Sequence, residues 1–167
     1  MSSEKRRIES STELKEVLKK DRDLSGADLS GLDLAGMQLA GMKLAEADLS
    51  GADLTKAVLA AGDLAGVSFR GAQLRGSTVA AANLQGADFS GADLRDSKFV
   101  ASNVQEADFA GAQTEGMRSV AVAWNQAKVP PDPLPESWQG PPPWLPLLVV
   151  GLIIAVIVLL RRRNQSN

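Results

Sequence analysis

Residues 86–111 read GADFSGADLRDSKFVASNVQEADFAG, and within them Phe89, Leu94, Phe99, Val104 and Phe109 stand five apart. The spacing continues upstream without a break through Leu84, Val79, Leu74, Phe69, Leu64, Leu59, Leu54, Leu49, Leu44, Leu39, Leu34, Leu29 and Leu24. A five-residue period suits neither regular element. On an α-helix successive members would lie about 140° apart and smear round the axis. On a flat strand an odd period sends alternate members to opposite faces. Burial of every member therefore requires the chain to turn a corner once per repeat, which makes a solenoid.

The neighbours of each central residue fit such a corner. Two places before it the residue is small, as at Ala27, Ala47, Ala52, Ala57, Ala72, Ala82, Ala87, Ala92 and Ala107. Immediately before it stands Asp or Asn, as at Asp28, Asp48, Asp53, Asn83, Asp88, Asp93 and Asp108, residues whose side chains cap turns. Two places after it Gly dominates, where a sharp bend needs freedom in φ.

With GADLSG at 26–31, GADLTKA at 51–57 and GADFSGADLRDS at 86–97, the chain resembles the pentapeptide-repeat family, whose motif is A-(D/N)-L-x-x. The resemblance covers roughly 22–111 and implies a right-handed quadrilateral β-helix with four repeats per turn. The sequence offers its own check on that number. Residues twenty apart should then stack, and Phe69, Phe89 and Phe109 stand twenty apart. The predicted fold is an all-β solenoid of about 4.5 coils, a rod roughly 22 Å long.

The expected organisation is a disordered N-terminus over 1–9, a capping helix over 10–21 and the β-helix over 22–118. A C-terminal cap follows over 119–128, then a Pro-rich linker over 129–143, a transmembrane helix over 144–160 and a basic tail over 161–167. Ser10 with Glu13 forms a capping box, and Leu14, Val17 and Leu18 follow at helical spacing. Met37 and Met42, large for the small position, are suited to fill the joint beneath that helix. The repeat loses its phase at Thr114, and Met117 to Trp124 is apolar enough to close the last coil as a strand or a helical turn. An end left uncovered would favour pairing with a second copy, a homodimer.

All eight prolines lie between Pro130 and Pro146, in a run that reads as an extended spacer. Leu145 to Leu160 carries no charge, and its Leu, Ile and Val content contributes on the order of −6 kcal/mol towards membrane insertion. Trp144 at one interface and Arg161, Arg162 and Arg163 at the other are the expected membrane anchors. Positive-inside logic would put those arginines in the cytoplasm. The N-terminal residues carry no signal peptide, which points instead to a tail-anchored, single-pass protein with a cytosolic solenoid.

The chain contains no His, Cys or Tyr, which removes imidazole bases, thiolate nucleophiles and the usual zinc ligands. Carboxylates alone would still need a cleft, and a rod filled by Leu, Phe and Ala offers none. The expectation is a protein without catalysis, cofactor or metal, and without nucleic acid as a partner.

Sorted by four repeats per turn, the outward residues form unequal sides. One side carries Asp28, Asp48, Asp88 and Asp108 in a column that Ser68 interrupts, and the next carries Asp33, Asp53 and Asp93. Stacked carboxylates need turn amides or cations beside them, and Arg70, Arg75 and Arg95 lie close by. A third side, centred on Leu39, Leu59, Val79 and Phe99, displays Val58, Ala60, Ala61, Thr78, Ala80, Ala81, Val100 and Ala101, with Lys98 its one charge. Such a face invites docking of a partner or a second copy.

The leading functional expectation is a membrane-tethered scaffold or adaptor that presents rigid faces to a protein partner. The lipid bilayer is contacted through 144–160. The family resemblance supplies the alternative, since some members are DNA-like acidic rods that bind and protect type II topoisomerases. Between Arg22 and Arg118, however, acidic residues outnumber basic ones by only thirteen to eight. A third option is the regulatory subunit of a membrane enzyme.

Overall fold

A central residue that must point inwards every fifth position leaves four residues to make a corner, and the backbone does this with one β-turn per repeat. In the computed structural model of the chain, which describes residues 7–137, the amide of Ala27 donates to the carbonyl of Leu24 and that of Ala52 to Leu49. The third residue of each turn has positive φ, 68° at Gly26 and 64° at Gly51, the geometry of a type II turn. Four such corners close a coil. Parallel bridges then join residues twenty apart, as in Asp28 to Asp48 to Ser68 to Asp88 to Asp108. The amide of Leu29 donates to Asp48 and that of Leu49 to Ser68, so each coil templates the next.

Only one side forms continuous strands. It comprises β1 (Val58–Ala60), β2 (Thr78–Ala80), β3 (Lys98–Val100), β4 (Arg118–Val120) and β5 (Glu136–Ser137), a parallel sheet in that order. The register steps by twenty from Val58 to Thr78 to Lys98 to Arg118.

The central residues fill the axis. Leu34, Leu49, Leu54, Leu74, Leu84, Phe89, Leu94 and Phe99 have no solvent exposure, and the small position beside them is as closed at Ala52, Ala72 and Ala92. Each buried leucine or phenylalanine contributes about 1.5–3 kcal/mol of transfer free energy. Phe69, Phe89 and Phe109 stack at centroid spacings of 4.7 Å, as their spacing in sequence requires, and Phe99 meets Phe89 edge-on at 5.9 Å.

Both ends are covered. Helix α1 (Ser11–Leu18) begins at Ser10, whose Oγ accepts from the Glu13 amide at 3.1 Å. The Glu13 carboxylate reaches back to the amide of Glu9 at 2.9 Å, one residue before the N-cap. Leu14 is buried, Val17 and Leu18 pack against the core, and Met42 fills the first coil with Met37 half-buried beside it. The N-terminal segment is ordered further than its polar composition suggests. Arg7 bridges Asp28, the Ile8 amide donates to the Asp28 carbonyl, and Ile8 is 2% exposed. An apolar side chain and an unpaired coil edge together hold residues 7–9 in place.

At the far end two expectations are corrected. The repeat keeps its phase beyond Phe109, with Thr114 and Ser119 buried at the next two central positions. Only the residue type changes, and each hydroxyl finds a partner. Thr114 Oγ1 donates to the Pro133 carbonyl at 3.1 Å, and Ser119 Oγ accepts from Trp124 Nε1 at 3.1 Å. Residues 129–137 are no free spacer either. Phe109 donates its amide to Val129, Pro131 is buried, and β5 pairs with β4. The last coil presents a row of unpaired amides and carbonyls, and this segment satisfies them. Trp124 opens a 3-10 turn (Trp124–Gln126) and lies against Phe99 and Phe109 at 5.9 and 5.3 Å, closing the aromatic column.

The expected transmembrane helix over 144–160, with Trp144, Arg161, Arg162 and Arg163, lies outside the described residues. Among the described residues no helix is long and apolar enough to cross a membrane.

Two substitutions test the packing by thermal denaturation. Leu74→Asp places an unpaired carboxylate on the axis and should destabilise by several kcal/mol; an unchanged melting temperature would show that Leu74 faces outwards. Ser77 and Ser97 are fully buried in a column where Ala57 precedes them, and their hydroxyls have no hydrogen-bond partner. Ser77→Ala should therefore raise stability by about 1 kcal/mol, the cost of a desolvated hydroxyl.

Candidate interaction faces

The two aspartate columns arise because the residue before each inward-pointing side chain must point outwards beside a turn. Asp28, Asp48, Asp88 and Asp108 do form one column and Asp33, Asp53 and Asp93 another, with Ser68 and Gln73 as interruptions. Every one of the seven accepts the backbone amide two residues on. Examples are Asp48 from Ser50 at 2.9 Å, Asp53 from Thr55 at 2.8 Å and Asp88 from Ser90 at 2.8 Å. Asp28, Asp33, Asp93 and Asp108 do the same with Ser30, Ala35, Arg95 and Ala110. These carboxylates hold corners shut.

Cations neutralise part of the remaining charge. Arg70 pairs with Asp88 at 2.9 Å, Arg95 with Asp93 at 2.5 Å and Lys128 with Asp108 at 3.2 Å. Arg75 reaches Asp96 instead, at 3.2 Å. The hydrogen bond from Arg95 holds the Asp93 carboxyl below its ordinary pKa, although burial opposes it. At Asp88 burial is the largest influence and pushes upwards, yet the bonds from Ser90 and Arg70 together outweigh it and leave the pKa lowered.

A side adjoining the aspartate column of Asp28 carries a polar ladder that single-residue inspection misses. Asn103 donates to Asn83 at 3.2 Å and Asn83 to Asp63 at 3.0 Å, each step twenty residues long. The signal was present as Asp63, Asn83 and Asn103 in one column, once the coil length is known.

The sheet side differs in kind. Val58, Ala60, Thr78 and Ala80 project from β1 and β2 and are half-buried by their neighbours, while Lys98 and Val100 project from β3 and are exposed. Ala61, Ala81 and Ala101 sit at its edge and are exposed. All eight expected face residues thus lie on one surface, and β1–β4 carry no carboxylate. What the sequence reading missed is the backbone at that edge. Ala61, Ala81, Ala101 and Ala121 have φ of 51°, 50°, 46° and 53°, a left-handed conformation that other corners mostly give to Gly. A β-carbon there costs about 1 kcal/mol or more.

Clefts are shallow. A groove of about 190 Å³ beside α1 is lined by Glu13, Glu16, Val17, Lys20 and Asp21, which is small for a ligand pocket. Among the described residues no group of three or more acidic, His or Cys side chains is placed to hold a metal ion.

The lowered pKa of Asp93 fixes a sign for pH dependence. A carboxylate depressed in the folded state contributes stability above its unfolded value, near 3.8, and loses it as pH falls through the folded value. Asp93→Asn should lower the melting temperature at neutral pH and flatten its decline between about pH 5 and pH 3. An unchanged slope would show that the ion pair with Arg95 is not formed in solution.

A model of the family of pentapeptide repeats matches residues 23–60 and 80–113, in eight copies. No curated protein sequence shows significant similarity to the chain. Among solved structures, HetL, a pentapeptide repeat protein involved in heterocyst differentiation regulation in the cyanobacterium Nostoc sp. strain PCC 7120, is 29% identical over 65% of this chain and 53% of its own, with a TM-score of 0.49. Rfr23 from the cyanobacterium Cyanothece 51142 is 28% identical over 57% of this chain and 62% of its own, with a TM-score of 0.42. QnrB1, a plasmid-mediated fluoroquinolone resistance protein, is 16% identical over 65% and 73%, with a TM-score of 0.44. The chain thus spans just over half of HetL and about three-fifths of Rfr23. The five-residue motif and the twenty-residue coil agree with the match to the model of pentapeptide repeats over those residues.

Proposed function

We propose that the protein is a non-catalytic scaffold whose solenoid presents a rigid face to a protein partner, tethered to a membrane through 144–160 with the solenoid on the cytosolic side. The observation that carries the reading is the contrast between sides. The aspartates are committed to turn caps and ion pairs, whereas the sheet side presents small, half-buried side chains on β1 and β2 and no carboxylate among β1–β4. The closed interior leaves no room for a substrate, and the groove beside α1 offers only exposed carboxylates and Lys20.

Topoisomerase binding by charge mimicry is the weaker reading. It needs unbroken negative sides, and here Ser68 and Gln73 interrupt the columns while Arg70 and Arg95 neutralise two of their members. The uncharged stretch at 145–160, followed by three arginines, supports the tether.

Two measurements test the proposal. Recovery of a protein partner from detergent extract should fall at least about tenfold for Ala60→Arg and Ala80→Arg, each of which places a charged side chain on the flat face. Undiminished recovery would reject the face. The full chain should remain with membranes through high-salt and alkaline washing, with the solenoid digested by protease added outside intact organelles or inverted vesicles. Release by alkali would reject the tether, and protection of the solenoid would reverse the sidedness.

A further inference from the structure

The face has measurable proportions. Strand residues advance about 3.3 Å, so three per coil make a band roughly 10 Å wide. Five rows, from Gln38 through Val58, Thr78 and Lys98 to Arg118, make it about 19 Å long at about 4.8 Å per row. That is about a quarter of the roughly 800 Å² that one partner contributes to a standard interface. The footprint does match one α-helix, which is about 10–12 Å across and covers such a length in about thirteen residues.

The outward charges of β1–β4 are basic, Lys98 and Arg118, whereas Asp96, two residues before β3, borders the face and is paired with Arg75. Within the coils, Arg22, Lys56 and Lys98 are exposed and form no ion pair among the described residues, unlike Lys43, Arg70, Arg75 and Arg95. All three border or stand on the sheet side. Lys98 lies in β3, Lys56 is two residues before β1, and Arg22 Nη1 donates to the Ala40 carbonyl in the first row. At the C-terminal edge Arg118 stands in register with Glu136. Left-handed alanines line one edge of the band. This is the one corner where a residue with a β-carbon takes positive φ in four consecutive coils; the others use Gly throughout or in most coils. Their methyl groups widen the apolar band at a cost in backbone energy, without adding bulk that would hold a partner away.

We infer that the sheet face is a track for a single amphipathic α-helix of a protein partner, with small side chains on its seated stripe and carboxylates along its flanks. This rests on the reading of the face as an interaction surface and adds the shape and charge of what it takes. Small groups on both sides bring the helix close, and Lys56, Lys98 and Arg22 meet its acidic residues. A membrane surface, also anionic, fits less well: the band carries no aromatic or leucine side chain to enter the headgroup region.

The test is a binding titration by fluorescence anisotropy with the full chain in non-ionic detergent. Its probes are a labelled 16-residue helical peptide with an alanine stripe flanked by glutamates and the same peptide with lysines in their place. The glutamate peptide should bind at least about tenfold more tightly than the lysine peptide, and added salt should weaken it. Lys98→Glu should weaken it three- to tenfold, and Ala80→Glu by more, with melting temperatures unchanged for both variants. Equal binding of the two peptides, no binding of either, or affinities indifferent to Lys98→Glu would overturn the helix track. If partner recovery still depends on Ala60 and Ala80 while the peptides fail, the interaction face stands and the track alone is rejected. Binding to phosphatidylserine vesicles that Lys98→Glu and Ala80→Glu abolish, without peptide binding, would assign the face to lipid instead.

Discussion

The hydrogen bond between residues twenty apart is the constraint on which the rest of the molecule depends. Each coil offers its amides and carbonyls along the solenoid axis, and only another coil of equal length can accept them in register. Equal length forces four corners of five residues, and the corner in turn dictates residue type at each position. The third turn residue must tolerate positive φ, the residue before the centre must cap, and the one before that must be small. The end segments depart from that length, with Arg7 bridging Asp28, Val129 bridging Asp108 and Glu136 pairing with Arg118, and they are the places where the motif gives way. Sequence regularity here reflects the cost of breaking a ladder that every neighbouring coil shares.

The same constraint explains what could be read from the sequence and what could not. The centres from Leu24 to Phe109 were legible because burial selects apolar side chains at a fixed spacing. Thr114 and Ser119 were not, since both are polar and yet buried. Their hydroxyls are satisfied by Pro133 and Trp124, partners brought close only by the returning chain. Residues 129–137 misled for a related reason. Proline lacks an amide donor, so a Pro-rich run reads as a spacer, but an exposed coil edge can be satisfied through carbonyls, such as that of Val129, and through the occasional amide. Ile8 gave a single apolar letter among charged ones, too little signal to announce a strand step. The columns of Asp28 and Asp33 were legible in place, and so was their use as turn caps, which the hydrogen bonds bear out.

The interior and the surface of this solenoid obey different economies. Inside, substitution is limited by volume: Phe69, Phe89 and Phe109 stack because twenty-residue spacing leaves their rings 4.7 Å apart, and Trp124 finishes the column because the last ring would otherwise face water. Outside, three sides are bound by the needs of their corners, with carboxylates or amides committed to backbone donors. The sheet side has continuous strands from the second coil onwards, so its outward residues are released from capping. Val58, Thr78 and Lys98 occupy the position that Asp holds elsewhere.

That release is the reason to place function there. A residue needed for a corner tells little about binding, because the fold alone demands it. Ala61, Ala81, Ala101 and Ala121 are the opposite case, since glycine would satisfy the backbone at lower cost. Part of that cost is returned through the unfolded chain, where alanine has less conformational freedom to lose than glycine. The return applies equally at the Gly31, Gly51, Gly71, Gly91 and Gly111 corner, where glycine is kept in all five coils. Unfolded-state entropy therefore cannot distinguish the two corners, whereas a contact made by the methyl groups would act at only one of them. Glu46, Lys56, Asp96 and Glu106 show that two other corners also accept a β-carbon at positive φ, but only the sheet-side corner does so with a methyl group in four consecutive coils.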